Sequence, residues 1–513
     1  MTMANRDRRE YAPGCPDTPK TAMPITGEDG GKAAEPWHFG LSALLKFKLP
    51  RVPLFFLGIG VYRAWIEIAF VGSFVNFPSL PLPMREWFDT TAVFVMLLCV
   101  LLARRIGPFY RRRSVFVLCG TTMVASTAML FATILAPAVA PLLGMPAAVL
   151  GGIGLGLIIL IWSEVYGCLN PLRVTLYYAA SMIAGALIVY VFMGFRMEWL
   201  AVFASILPLA SLIFARRAMG EVPAAERPAP ADVKFKAPWK IFLLMALYAF
   251  AYGIIETRAY SGSFGPHSSP GCLIVALIIF LGVALRRERF DFNSIVRIAL
   301  PLMIVAFWMV PALGIEAYAL SGPAAVGGYT AVSVLIMTLC SNMCYRYGVS
   351  AIWLFGIERS VRLAFMILGR GIAYVGLTAH LGAIDGAALV SGFAVTAVLL
   401  ATLLLFRQKE ITGNWGANLL TGRSKSPEGL HRERIAAQCA AVANRYRLTG
   451  RETEILNLLA QRKTVGMIER ELFIANGTAK AHVRHIYQKL DIHSREELFA
   501  LIDPGEVDPL EGK

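Results

Sequence analysis

An all-α protein is predicted: a twelve-helix transmembrane bundle followed by a compact four-helix unit in water. Three observations carry this. Hydrophobic residues make up 57% of the 513-residue chain and charged residues only 16%, too few charges to cover a soluble protein of this size. Apolar stretches of spanning length recur twelve times before residue 407. Beyond that point no apolar run is long enough to span, and helical periodicity with capping signals takes over.

Residues 1–50 are polar, proline-containing and mixed in charge. They lack the short apolar core and small-residue cleavage site of a signal peptide, so a cytoplasmic tail with an interfacial lead-in is expected. Spans at 53–73, 90–103, 114–134, 142–163, 174–194 and 198–215 form a first membrane half over 51–215. Residues 216–238 hold four prolines among charged and small residues, and a chain of that kind cannot be a helix in lipid. They read as a linker. Spans at 239–256, 270–285, 295–314, 323–344, 362–379 and 386–406 form a second half over 239–407.

Charge sets the expected orientation. Arg111, Arg112 and Arg113 follow span two, Arg216 and Arg217 open the central linker, and Arg346, Arg359 and Arg362 are assigned to the loop after span ten. The alternate loops are poor in cations, with Arg85 alone in the first. Lys and Arg collect on the cytoplasmic side, so both termini are expected in the cytoplasm and the chain in the inner (cytoplasmic) membrane. The net charge of +15 follows from that bias and is weak support for nucleic-acid binding by itself. Six spans, a long linker and six more spans resemble the major facilitator architecture. The resemblance implies two six-helix halves around a central cavity.

Charges inside spans are costly unless paired or facing a polar cavity. Arg63 and Glu67, four apart, share a helix face and can pair. Glu164 ends the fourth span, Glu256 closes the seventh and Arg370 lies within the eleventh between two glycines. These five are candidates for membrane sensing or coupling. The competing reading is that they are internal ion pairs or headgroup-level charges that only hold helices in place. The glycines 151, 152, 154 and 156 predict a close helix contact along the fourth span.

No phosphate-binding loop, dinucleotide fingerprint or His-Glu-x-x-His motif is present. No catalytic residue, metal ligand or cofactor is therefore expected, and the chain is not read as an enzyme. Most of the eight cysteines fall inside apolar segments and read as small buried hydrophobes.

Residues 408–447 begin as a Gly/Ser/Thr-rich linker and continue as a connecting helix over about 429–446. Residues 448–502 carry four helical patterns. Thr449 caps the first, with Glu452 completing a capping box. The second covers 464–472 and the third 476–490. Ser494 and Glu497 repeat the capping signal for the fourth. The unit holds eight basic and seven acidic residues, yet 476–490 has Lys480, Arg484 and Lys489 and no acid. A short helix, a tight turn and a basic polar helix match helix-turn-helix geometry. Residues 503–513 form a C-terminal tail.

The ordered set Leu448-Thr449, Arg451-Glu452, Ile455, Leu458-Leu459-Ala460, Ile468, Leu472, Ile474, Thr478, Lys480, His482, Ile486-Tyr487, Lys489-Leu490, Ile492 and Ser494-Arg495 resembles the LuxR-type DNA-binding domain. The resemblance implies that the third helix reads double-stranded DNA and that the fourth contributes to a homodimer on DNA. It places Asn476, Thr478, Lys480, Ala481, His482, Arg484, His485 and Lys489 at the DNA. Asn476 is expected to cap the third helix in place of the usual serine.

A membrane-bound one-component transcription regulator is expected, with DNA and the lipid bilayer as partners and a place for an unidentified small-molecule ligand. The alternative is a secondary transporter with an attached DNA-binding domain.

Overall fold

The computed structural model describes residues 50–71, 84–222, 227, 237–259, 268–285, 293–313, 318–347, 349–378, 386–405, 427–460, 465–472 and 474–502. The expected N-terminal tail, most of the 216–238 linker, residues 408–426 and the 503–513 tail lie outside the described residues. Among the described residues there is no strand.

Among the described residues twelve long helices precede residue 406: α1 Leu54–Val71, α2 Met84–Ile106, α3 Arg113–Leu135, α4 Ala140–Gly167, α5 Pro171–Phe192, α6 Met197–Glu221, α7 Trp239–Ala259, α8 Ser269–Leu285, α9 Asn293–Leu313, α10 Tyr318–Tyr347, α11 Ala351–Thr378 and α12 Gly386–Leu405. Eight of them are long and apolar enough to cross a membrane, and three shorter apolar stretches lie in α8, α9 and α12. The exception is α11, which carries Glu358, Arg359, Arg362 and Arg370. Large apolar side chains such as Leu101, Leu142 and Trp308 stand exposed on the outside, as a lipid-facing surface requires.

Four boundaries move. The second and eleventh helices start well before the expected spans, because Arg85, Glu86 and Asp89 in one, and Glu358, Arg359 and Arg362 in the other, depress the local hydropathy. Arg85, Arg359 and Arg362 are therefore helix residues and not loop charges. The sixth helix runs on to Glu221, so Arg216 and Arg217 extend it before the linker begins. The fourth continues to Gly167, which places Glu164 inside it, 2% exposed.

The two halves meet along pairs that occupy equivalent places in each. Helix α2 packs on α11, and α5 packs on α8. Within the halves, α1 packs on α5 as α7 packs on α11. Both of these intra-half crossings are glycine contacts. A Cβ on Gly60 would lie 1.9 Å from the Ser181 carbonyl oxygen, and one on Gly369 would lie 2.2 Å from that of Phe250. Without a hydrophobic force between helices in lipid, such backbone approach is what lets dispersion hold them. The glycines of α4 act likewise. A Cβ on Gly152 would come within 2.4 Å of the Phe88 carbonyl, and one on Gly154 within 2.2 Å of Met123.

The C-terminal unit has its own core, in which Ile455, Leu456, Ile468, Ile486 and Leu498 are fully buried. It comprises α13 Pro427–Arg445, α14 Gly450–Ala460, α15 Val465–Leu472, α16 Asn476–Leu490 and α17 Arg495–Ile502. Helix α13 reaches both α14 within the unit and α10 of the bundle. Its Cys439 is fully buried against α14, and burial pushes the thiol up to about 12.

Candidate functional site

Helix α16 is positioned by its apolar edge. Ala479, Ile486 and Leu490 are buried, while Thr478, Lys480, Arg484, His485, Gln488 and Lys489 are exposed. The short α15 packs across it, and Asp491 ends it in the left-handed conformation at φ 54°. The first capping box forms as expected: the Thr449 N–H donates to Glu452 Oε2 at 2.7 Å and the Glu452 N–H to Thr449 Oγ1 at 3.3 Å. At the last helix the Glu497 N–H donates to Ser494 Oγ, but the Glu497 carboxylate reaches back to the N–H of His493 rather than that of Ser494.

The expected DNA-facing residues divide. Lys480 and Arg484 lie one turn apart at the mouth of an open groove between α15 and α16. Neither has an ion-pair partner among the described residues. Thr478 and His485 are exposed beside them, and Ala481 and His482 are half-buried. Lys489 is different. Its Nζ donates to Glu452 Oε2 at 2.7 Å, and that ammonium, together with the Thr449 cap, holds the Glu452 carboxyl down at about 2. Asn476 does not cap α16. Ala475 occupies the cap position, and the Asn476 amide donates to Glu469 at 2.6 Å, tying the turn together.

The bundle candidates also separate. Arg63 and Glu67 do not pair. At Glu67 the helix widens into a π turn over Glu67–Val71, and the carboxylate accepts from the N–H of Ser268 at 2.9 Å and from its hydroxyl. Glu164 accepts from the N–H groups of Phe109 and Tyr110 at 2.8 and 2.9 Å, so it anchors the turn after α2.

Arg370 is the centre of a network across the two halves. It donates to Glu86 at 2.7 Å, to Asp89 at 2.6 Å and to Glu256 at 3.0 Å. Arg85 adds a 2.7 Å bond to Asp89 and lies 3.6 Å from Glu256. Asp89, Glu256 and Arg370 are all buried. Arg85, Glu86 and Asp89 escape sequence reasoning because they precede the strongly apolar part of α2.

A second charged group lies near the middle of α11. Arg362 donates to Glu358 and, at 2.8 Å, to Ser333, while Arg359 approaches Glu358 at 3.3 Å. Among the described residues no cluster of three His, Cys, Asp or Glu is arranged to hold a metal.

Comparison with known proteins gives two independent likenesses. The family profile "Bacterial regulatory proteins, luxR family" matches residues 446–502. The spore germination protein GerE of Bacillus subtilis is 39% identical over 62 residues, 12% of this chain and 84% of its own length. A putative HTH-type transcriptional regulator from Aeromonas salmonicida is 37% identical over 83 residues, 16% of this chain. The chain spans only 42% of that relative's length. The bundle matches a solved structure, the human organic anion transporter MFSD10 (TETRAN), with TM-score 0.50 and 15% identity over 68% of this chain and 97% of that one. That likeness concerns the fold, and it agrees with the major-facilitator arrangement of two six-helix halves.

Proposed function

The chain belongs, through residues 446–502, to the luxR family of bacterial regulatory proteins, and on that premise we propose that it is a membrane-bound one-component transcription regulator. Its helical bundle senses a ligand or a membrane state, and its C-terminal unit binds promoter DNA at the cytoplasmic face of the inner membrane. The observation that carries this reading is the joining, in one chain, of a major-facilitator-like bundle to a helix-turn-helix whose exposed Lys480 and Arg484 have no ion-pair partner among the described residues.

Lys480 and Arg484 supply phosphate or base-edge contacts, with Thr478, Ala481, His482 and His485 beside them. Two copies bind together on DNA. Arginine- and lysine-rich loops such as 111–113 keep both termini in the cytoplasm, where the DNA is.

A route between the two functions is supported by packing. Helix α10 brings Ser333 to the charged centre of the bundle and also packs against α13, the helix that leads into the DNA-binding unit. A ligand that favours one position of α10 would bias α13 by its difference in affinity for the two states. The Arg370 network, which ties α2 to α7 and α11, sets the balance between arrangements of the halves.

The test uses the full chain in lipid nanodiscs and, in cells, a reporter driven by its mapped operator. Operator-specific binding with a reporter response that depends on the bundle is the expected result. Binding that discriminates no sequence would defeat the regulator reading. Turnover of a labelled solute in proteoliposomes would favour the transporter alternative, which the bundle's fold alone recommends.

A further inference from the structure

Three guanidinium groups converge at the interface between the halves. Arg63 lies near the middle of α1, and Arg359 and Arg362 near the middle of α11. Tyr62 of α1 and Tyr178 of α5 are each within electrostatic reach of all three. Tyr329 of α10 is within reach of Arg63 and Arg359 and lies under the Arg362 guanidinium at 5.8 Å. Glu358 is the one carboxylate that either α11 arginine is paired with among the described residues. Glu67 is turned away to Ser268.

The balance is therefore positive. Glu358 and Glu67 offset two of the three cations: Glu358 has its better geometry with Arg362, and Glu67, although bonded to Ser268, lines the same cavity as Arg63. Arg359 approaches Glu358 at 3.3 Å without a hydrogen bond, so Arg359 Nε is buried with no acceptor, and Glu358 Oε2 is left without a donor. Arg63 forms neither an ion pair nor a hydrogen bond among the described residues. A cavity of about 20 Å³ opens beside it between α1, α5 and α8. That is room for one water-sized group. Uncompensated guanidinium groups in a low-dielectric interior are costly. An arginine fork is also the side chain best suited to a carboxylate or phosphate.

We propose that Arg63, Arg359 and Arg362, with Tyr62, Tyr178 and Tyr329, form a binding site for a small oxyanion-bearing molecule, a carboxylate or a phosphate, at the centre of the bundle. Arg63 and Arg359, the more loosely held of the three, are its two arms, contributed by opposite halves; Arg359 approaches Glu358 at 3.3 Å and donates to Met337 Sδ at 3.5 Å. Arg362 is held to Glu358 and Ser333 and fixes the α11 side. The tyrosines supply hydroxyl donors and apolar walls. An oxyanion between Arg63 and Arg359 draws α1 toward α11. The middle of the spans is out of reach of lipid headgroups, so the ligand comes from solution. As the signal, this ligand rests on the sensor reading above. As a site, it does not.

The experiment is thermal unfolding of the full chain in zwitterionic-lipid nanodiscs, titrated with sodium benzoate and with inorganic phosphate at constant ionic strength set by chloride. Choline chloride is the cation control, and nanodiscs containing anionic lipid test a headgroup source. A saturable rise in melting temperature with benzoate or phosphate is expected, with none from choline. Arg63→Gln and Arg359→Gln should each raise the half-saturating concentration at least tenfold, and Arg359→Lys should recover part of it. Should a glutamine variant fail to assemble, Arg359→Lys and Tyr62→Phe carry the test through the same concentration shift. No saturable shift with either anion, or the same half-saturation in all variants, overturns the site, as does a stabilisation produced by anionic lipid alone. Operator affinity is read in the same samples. Anion binding that leaves it unchanged counts against the sensor reading and not against the site. Intact regulation with no anion binding does the reverse.

Discussion

Lys480→Ala and Lys489→Ala, nine residues apart on one helix, should fail in different ways. Lys480 is exposed with no ion-pair partner among the described residues, whereas Lys489 donates to the buried Glu452 at 2.7 Å. A lysine at a phosphate releases about 0.9 counterion, so its loss flattens the log–log salt slope by about 0.9. Between about 50 and 200 mM salt the parent should then lose roughly 3.5-fold more affinity than Lys480→Ala, since four raised to the power 0.9 is about 3.5. The loss should be equal on operator and scrambled duplexes, because phosphates carry no sequence. Lys489→Ala should leave the slope near that of the parent and should loosen the fold instead. Lys489 is 39% exposed, so its pair with Glu452 is worth about 0.2–1 kcal/mol, enough to lower the melting temperature of a unit this size by a few degrees. The assay is fluorescence polarisation of labelled duplexes with the full chain in nanodiscs over a salt series, beside a melt of the C-terminal unit. If Lys489→Ala flattens the slope as much as Lys480→Ala and leaves the melt untouched, the division of this helix into a reading edge and a structural edge is wrong.

Other outcomes follow from single interactions. The Glu452 carboxyl is held at about 2 in the folded unit, below its ordinary 4.5. Its stabilisation is complete above about pH 4.5 and is lost as pH falls toward 2, so acid unfolding of the unit should soften over that window in Glu452→Gln, as followed by circular dichroism. Arg370→Gln leaves the buried Asp89 and Glu256 with Arg85 as their one remaining cation among the described residues and should cost up to about 3 kcal/mol, seen as lost melting temperature and weaker packing of the halves. Arg370→Lys should restore only part of it, since one ammonium cannot serve two carboxylates of α2 and a third of α7 in fork geometry. Glu164→Gln keeps one acceptor for the N–H groups of Phe109 and Tyr110 and should increase protease cutting in the 107–112 turn without altering operator affinity. Gly60→Leu drives a side chain into the Ser181 carbonyl and should abolish assembly of the first half, read as aggregation on gel filtration.

What the sequence made legible differs between the two parts for a physical reason. In water, a helix records its buried face as a periodicity and its start as a cap, and both are local. The expected 464–472 and 476–490 helices therefore match Val465–Leu472 and Asn476–Leu490 closely. In lipid, the helix is signalled by mean hydropathy, and a charged turn inside a span cannot be told from a loop by that signal. Arg359 and Arg362 are assigned to a loop by that signal for this reason, although they lie with Glu358 in one unbroken helix.

Partners are harder still, because charge pairing is set by packing between helices distant in the chain. Arg370 finds Asp89 across 281 residues and Glu86 across 284. Arg63 and Glu67 are four apart and a pair by helical spacing, yet Glu67 opens a π turn that local propensity does not announce and bonds instead to Ser268, 201 residues away. The same limit applies to Lys489. Its basic, polar neighbourhood marks it for DNA, and only the fold shows that Glu452 has already taken it. In each case the residue type was readable and its partner was not. A charge in a sequence states a debt of solvation, and the tertiary structure decides whether a neighbouring acid or an incoming ligand meets it. Among the described residues Arg370 and Lys489 are met internally, while Arg63, Arg359, Lys480 and Arg484 are left with weak partners or none. Those four lie where the two proposed ligands, a small anion and DNA, would supply the missing charge.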